Sequence, residues 1–510
     1  MSIVENSFFF RLFLSLWLGL THLWQGSFLH SVFAAAGAAL RRGVEDSVIC
    51  RVLWREGTLP RAWPRSVSCR VLTALANLPC ALVKLIYKAG ENLWDGSVCF
   101  RLVTGLGGLA APLMGLFMLV MLVAPHSRWN NAYALLGAVA VTALFVLGTA
   151  GTRRRLELER VGPYHVFFFA FVCIALVTSV STSLSMRFFL FHLTGFLIVL
   201  VLVSATQRLE QVQGAAALAA AGLFVASLYG CYQGVIGVAV VASQQDMRVN
   251  AGMPGRIYSF FDNPNNFAEI LVMLLPLLLA LLLNAKTWRG RAAALVGLGV
   301  GLAAIGYTYS RSGWLGLALA VFVFLALQNW RIVPFAIVAA IAALPFLPES
   351  IYNRFLTIGN MQDSSTRYRF AIYEATGNLM KDFWHRGVGL GSDVMTKVFT
   401  QYPTMYDGNH PIHTHNNYLQ MWGELGIGGG IAYIALVLWR VKTGLKAYYS
   451  AKNRAVRNLL SAAVGSFAGI LLISVAEYTW FYPRNMFFFW FLFGLIGACV
   501  KLVDKETDRK

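Results

Sequence analysis

Charge is scarce in this chain: only 13% of its 510 residues are Asp, Glu, Lys or Arg, and only 23 of them are acidic. Soluble domains carry about 25%, and with 57% hydrophobic residues and a mean hydropathy of +0.61 a water-soluble globule is excluded. Cysteine is equally thin as a scaffold. The seven, Cys50, Cys69, Cys80, Cys99, Cys173, Cys231 and Cys499, are odd in number and lack short metal-type spacing, which argues against a disulfide framework or a cysteine metal centre. Fixed-period repeats and low-complexity linkers are missing as well, so a single membrane domain is expected. An aromatic share of 14% leaves no room for a disordered chain.

What is present is a series of apolar runs long enough to cross a bilayer. Twelve are expected, at 102–124, 131–147, 165–184, 188–206, 215–240, 267–283, 292–309, 313–327, 332–346, 418–438, 458–478 and 486–500. Counting the 42 Lys and Arg on alternate sides gives 30 on the side of the two termini and 12 on the other. The positive-inside rule then puts both termini in the cytoplasm, and the net charge of +19 becomes a topology signal instead of a nucleic-acid surface. Residues 1–101 mix Arg with Trp, Leu and Val and begin with an acidic segment unlike a signal peptide, so they read as a cytoplasmic, interfacial amphipathic extension. A thirteenth span near 12–33 is the rival reading. The expected organisation is therefore the extension 1–101, helices one to nine over 102–348, an extracytoplasmic loop subdomain at 349–417, and helices ten to twelve with a tail over 418–510.

Ionisable groups inside the expected spans are few, and pumps and ion-coupled transporters need them at depth. Glu269, Glu424 and Glu477 are the only carboxylates there, with His165 and His192 near span starts, and Gln420 one turn before Glu424 as its expected partner. The polar features gather instead on the outer side, in three places. Arg256 precedes Asp262-Asn263-Pro264-Asn265-Asn266, where Asn266 and Glu269 have the spacing of a helix cap. Tyr309-Ser310-Arg311-Ser312 joins two spans, and the fork of Arg311 suits either a lipid phosphate or a bidentate hold on a diphosphate. The 349–417 loop contains an amphipathic helix over 364–386 with Arg367, Arg369 and Tyr373, then Gly387-Val388-Gly389-Leu390-Gly391, read as a turn because no strand precedes it.

That loop ends in His410-Pro411-Ile412-His413-Thr414-His415-Asn416. Zinc would need a further ligand, and Asp407 is the sole nearby carboxylate, so no metal is expected. His415 precedes a helix N-terminus, where the dipole favours neutral imidazole, which can take a proton as a general base.

His415-Asn416, followed after nine intervening residues by Gly426-Ile427-Gly428-Gly429, resembles the signature of the O-antigen ligase and polymerase superfamily. Ser310-Arg311-Ser312 resembles its Ser-Arg motif, Arg256 its other outer-face arginine, and Arg369 to Gly391 its Arg-x-x-x-aromatic and Gly-x-Gly pattern. The resemblance covers about residues 255–435 and departs at Trp384-His385-Arg386, where the family usually has a proline. It implies an all-α polytopic membrane protein of GT-C-like fold, acting without cofactor as a metal-independent inverting glycosyltransferase. The implied donor is a polyprenyl-diphosphate-linked glycan. The acceptor is a lipid, wall, protein or glycan hydroxyl at the outer face of the cytoplasmic membrane. His415, Arg256 and Arg311 would be catalytic, and Arg369, Asn416 and Tyr309 would bind substrate. Ligase and polymerase share this donor chemistry, and a glycolipid flippase with an arginine-lined cavity is the alternative from another class.

Overall fold

The computed structural model describes residues 8–47, 51, 54–55, 57–241, 252–358, 364–404 and 410–507, and every regular element among them is helical. The chain divides into two units, Met1–Ala62 and Trp63–Lys510. In the first, helices α1 (Phe8–Gln25) and α2 (Phe28–Asp46) are joined by a short turn in which Ser27 caps α2 by accepting from His30 N. Leu12, Leu14, Leu16 and Leu18 of α1 are exposed. The acidic leader at residues 1–6 lies outside the described residues.

The second unit, with only its longer helices numbered, begins with two broken pairs. Helices α3 (Val67–Ala76) and α4 (Leu78–Ala89) bend by 51°, and α5 (Val98–Gly108) and α6 (Ala110–Val123) by 75°. There follow α7 (Ala132–Leu147), α8 (Pro163–Val177), α9 (Thr182–Ala205), α10 (Leu209–Ile236), α11 (Pro264–Asn284), α12 (Trp288–Tyr307), α13 (Arg311–Asn329) and α14 (Val333–Ala343). The large loop carries α15 (Glu349–Leu356), α16 (Ser364–Phe383) and α17 (Ser392–Phe399). Helices α18 (Asn417–Ser450), α19 (Arg454–Ile473) and α20 (Pro483–Thr507) complete the bundle.

Among the described residues eight helical runs are long and apolar enough to cross a membrane, or up to ten if each bent pair is one span. The expected count of twelve differs for physical reasons. Helices α7 and α8 have 16 and 15 residues, short of the roughly 20 that a bilayer crossing takes. The expected spans 313–327 and 332–346 fall in one helical run, Arg311–Phe346. That run cannot be straight, because its length would then be about 54 Å, yet Arg311 Nη1 donates to Thr357 O at 2.9 Å. Most of the chain between Phe346 and Thr357 is the short helix α15, so the run bends back, and the 3-10 turn Trp330–Ile332 is the break available for it.

The core is α20 with its neighbours α9, α11 and α19; Phe487 to Phe493 along α20 are all buried. Helices α13 and α19 meet backbone to backbone: a Cβ on Gly469 would stand 2.4 Å from Gly316 O, and one on Gly465 2.5 Å from Ala320 O. Small residues four apart on both helices permit this approach, and it fixes the start of α13 beside the end of α19. The cap of α11 differs from the expectation. Its N-cap is Asn263, which accepts from Asn265 N at 2.8 Å, with Pro264 in the first helical position, where a fixed φ and a missing N–H cost nothing. Asn266 instead donates to Asp262, and Glu269 accepts from Asn485 at 2.6 Å.

Candidate active site

Helices α11, α13, α18 and α20 are among those that begin at one end of the bundle, and α10, α12 and α19 are among those that end there. The N-termini bring positive dipole ends to a common surface. Its centre is the turn that follows α19, whose carbonyls at Ser474, Val475 and Ala476 are met by other segments. Asn417 N donates to Ser474 O (2.8 Å), Asn416 Nδ2 to Val475 O (2.8 Å), and Arg369 Nε to Ala476 O (2.9 Å). Tyr373 OH bridges Val475 O and His415 O, at 3.3 Å each. The loop helix α16 and the start of α18 are thus docked on the end of α19 by hydrogen bonds that these carbonyls require.

The next residue, Glu477, is the hub. One carboxylate oxygen accepts from Arg369 Nη2, with which it forms an ion pair, and from Asn265 Nδ2 at 3.3 Å. The other meets His415 Nδ1 at 3.2 Å. Asn265 in turn accepts from Arg256 Nη2 at 2.6 Å, so that Arg256, Arg369 and His415 are linked through one carboxylate. Burial pushes the Glu477 carboxyl up, but the Arg369 guanidinium and the His415 imidazole outweigh it and hold the group down at about 2. Glu477 is therefore ionised and accepts only. His415 must then carry its hydrogen on Nδ1, which leaves the Nε2 lone pair to take a proton. The carboxylate, in addition to the helix dipole, orients this ring.

Since the folded Glu477 carboxyl sits below its ordinary value of 4.5, its pairing stabilises the fold fully above that pH. The contribution is lost as pH falls from about 4.5 toward 2. Thermal unfolding in detergent over that window should therefore fall more steeply for the wild type than for Glu477→Gln.

Arg256 is 7% exposed and donates from Nε to Thr308 O at 2.7 Å. Burial, then repulsion from Arg354, Arg311 and Arg369 with Glu477 opposing, brings it down to about 9, still protonated at neutral pH. Arg354, which sequence reasoning missed, donates from Nε toward Tyr309 O (3.4 Å), the carbonyl next to the one Arg256 holds. Helix α15 is clasped to this turn twice more, by Arg311 Nη1 on Thr357 O and by the Tyr309 and Ser350 hydroxyls at 2.9 Å. Arg256 thus lies within electrostatic reach of three further guanidiniums, Arg311, Arg354 and Arg369, and of one carboxylate, Glu477, a surplus of positive charge that suits an anion of more than one charge.

Two of the expected substrate-binding residues have partners within the protein: Tyr309 is 3% exposed, with its hydroxyl on Ser350, and Asn416 accepts with its side-chain oxygen from Tyr418 N and Leu419 N as the N-cap of α18. Tyr309 and His415 share left-handed backbone, with φ of 49° and 47°, a conformation that costs a non-glycine residue about 1–3 kcal/mol and clusters at functional sites. His413 turns inward, its Nδ1 accepting from His415 N at 3.2 Å, and burial with the neighbouring His415 drops it to about 3. Among the described residues no group of three or more His, Cys, Asp or Glu could hold a metal ion; Asp407 lies outside them.

The two glycine motifs form a structural clasp. Val388 N donates to Gly423 O, Gly389 N to Glu424 O and Ile427 N to Trp384 O, at 2.8, 3.1 and 2.8 Å. Helix α18 kinks at Gly426, whose φ is 71°, to receive them. Gln420 Nε2 donates to Glu424 Oε1 at 2.7 Å, as their one-turn spacing suggests.

Residues 296–434 match the protein family described as O-antigen ligase. That span holds Tyr309, Arg311, Arg354, Arg369, His415 and Asn416, whereas Arg256 and Glu477 fall outside it. No curated protein matches the chain. The family match supports membership of the O-antigen ligase-like family, whose members are glycosyl-transferring ligases and polymerases of polysaccharide biosynthesis.

Proposed function

We propose that this member of the O-antigen ligase-like family moves a glycan from a polyprenyl-diphosphate carrier to an acceptor hydroxyl. The site would lie at the outer face of the cytoplasmic membrane, in a GT-C-like helical scaffold with both termini inside. The observation that carries the reading is the Glu477 carboxylate, which fixes the tautomer of His415 and ties it to the arginine cluster. In the reaction, the acceptor hydroxyl gives its proton to His415 Nε2 as its oxygen bonds the anomeric carbon. The bond from that carbon to the diphosphate oxygen breaks on the opposite face, so the centre inverts and the electron pair leaves on the diphosphate. Arg256, Arg311 and Arg354 hold that leaving group near a low-dielectric boundary, where each guanidinium counts for more than in water. These cations supply the charge that a divalent ion supplies in other phosphate chemistry, so the mechanism assigns no metal.

The test is a gel profile of surface and lipid-linked glycan from a deletion strain complemented with wild type or His415→Ala. Full-length chains that stay on the carrier while the final acceptor remains bare identify a ligase. Single repeats on an acceptor, with no long chains, identify a polymerase. In purified form His415→Ala should bind donor with unchanged affinity and turn over about 10²–10⁴-fold more slowly, the share of a general base. Full transfer activity in that variant would overturn the general-base assignment, whereas a wild type that moves the carrier-linked glycan across the membrane with no transfer would identify a flippase.

A further inference from the structure

At the other end of the bundle, residues between Pro64 and Lys84, with Arg155 and Glu159, line an open cavity of about 550 Å³. Its distance from the active site follows from α9, whose first turn meets the loop through Ser185 and Leu390 N, and whose last turn meets Glu157 N through Ser204 Oγ. The wall brings together Arg70, Lys84 and Arg155 with a single carboxylate, Glu159, which Arg155 engages as an ion pair. The cavity is preformed. At the break between α3 and α4, Asn77 makes reciprocal bonds with Leu156, Nδ2 to O and Oδ1 from N, both 2.8 Å. Lys84 Nζ donates to Arg154 O at 2.7 Å, which uses one of its three hydrogens and holds the ammonium at the rim.

The outer faces of the same two helices are apolar: Val67, Val71, Leu75, Leu78, Leu82 and Leu85 are all exposed. A row of this size is satisfied by acyl chains, not water. With those residues in the acyl layer, Arg70, Lys84 and Arg155 stand at headgroup depth, on the side that carries 30 of the 42 Lys and Arg. We propose that this cavity binds the headgroup of an anionic diacyl phospholipid, with the phosphate among Arg70, Lys84 and Arg155 and the acyl chains along α3 and α4. It gives residues 63–89, which correspond to nothing in the glycosyltransferase motifs, a task of their own, and it stands independently of the proposed transfer chemistry.

The experiment uses the full chain in detergent, with native mass spectrometry to count bound lipid and thermal unfolding to read the effect. The probes are phosphatidylglycerol, phosphatidylcholine and glycerol 3-phosphate. The expected result is retained phosphatidylglycerol with a raised unfolding temperature, and neither from the other two. Neutralising one cation in Arg70→Gln should weaken phosphatidylglycerol binding about fivefold, and the triple variant Arg70→Gln, Lys84→Gln, Arg155→Gln about a hundredfold. The single variant, at an exposed side chain, keeps the test valid if the triple variant fails to fold. Equal binding by wild type and Arg70→Gln, or equal binding of phosphatidylcholine, would overturn the proposal. Stabilisation by glycerol 3-phosphate as strong as by the lipid would also overturn it, since the site would then serve a soluble phosphate.

Discussion

Glu477→Gln should lower kcat by about 10²–10⁴-fold while donor KM moves only a few-fold. The amide has nearly the shape of the carboxylate, so the α19 end and its bonds to Asn416, Tyr373 and Arg369 stay in place. What changes is the proton. An ionised Glu477 can only accept, which forces the His415 hydrogen onto Nδ1; an amide can present its NH₂ to that nitrogen, and the hydrogen moves to Nε2, where the acceptor's proton has to go. Glu477→Asp, which keeps the charge on a shorter arm, should recover part of the loss. A purely structural role would give the opposite pattern: a lowered unfolding temperature for Glu477→Gln with kcat intact per folded molecule. Steady-state kinetics and thermal unfolding on the same preparations separate the two.

Gly426→Ala should be strongly destabilising for a single added methyl. Its φ of 71° and ψ of 178° fall in a region open essentially to glycine alone. An added Cβ would lie 2.3 Å from His385 O and 2.6 Å from its carbonyl carbon. Those atoms are backbone, in a segment fastened by Ile427 N on Trp384 O, so nothing nearby can swing aside. The expected cost exceeds about 4 kcal/mol, enough to lose the clasp between α16 and α18 and with it the docking of Arg369. Gly377→Ala is the matched control. It lies within α16 with nothing within 4 Å of the new methyl, and should leave stability unchanged or raise it by up to about 1 kcal/mol. Yield and unfolding temperature of the two variants, side by side, check the contrast.

The membrane class and the helical content were legible because apolar run length marks a helix. Arg256, Arg311, Arg369 and His415 stood out in the sequence by their outer-side placement and the motifs around them, and Arg311, Arg369 and His415 fall in the matched span. The number of spans was harder to read, because hydropathy registers apolarity but not length after a cap or a break. It is silent on α7 and α8 stopping at 16 and 15 residues. The bend within Arg311–Phe346, by contrast, falls between the expected spans 313–327 and 332–346. Glu477 was visible as one of three carboxylates in the expected spans, yet its partners lie 62 and 108 positions earlier, at His415 and Arg369. No local pattern carries that distance. Arg354 looked like an ordinary loop cation, and only the return of α15 onto the 308–310 turn gives it a place in the cluster.

The carbonyls at the end of α19 tie catalysis to the order in which the chain is made. His415 leaves the ribosome 62 residues before Glu477, and the segment between them includes α18 and α19, both of which must enter the bilayer before the carboxylate can reach the imidazole. A nascent chain that already displays its histidine and all four of its arginine-bearing segments therefore lacks the partner that sets the proton. On the proposed mechanism, the hydroxyl-activating group is armed late in synthesis, once the helix hairpin around Glu477 is inserted.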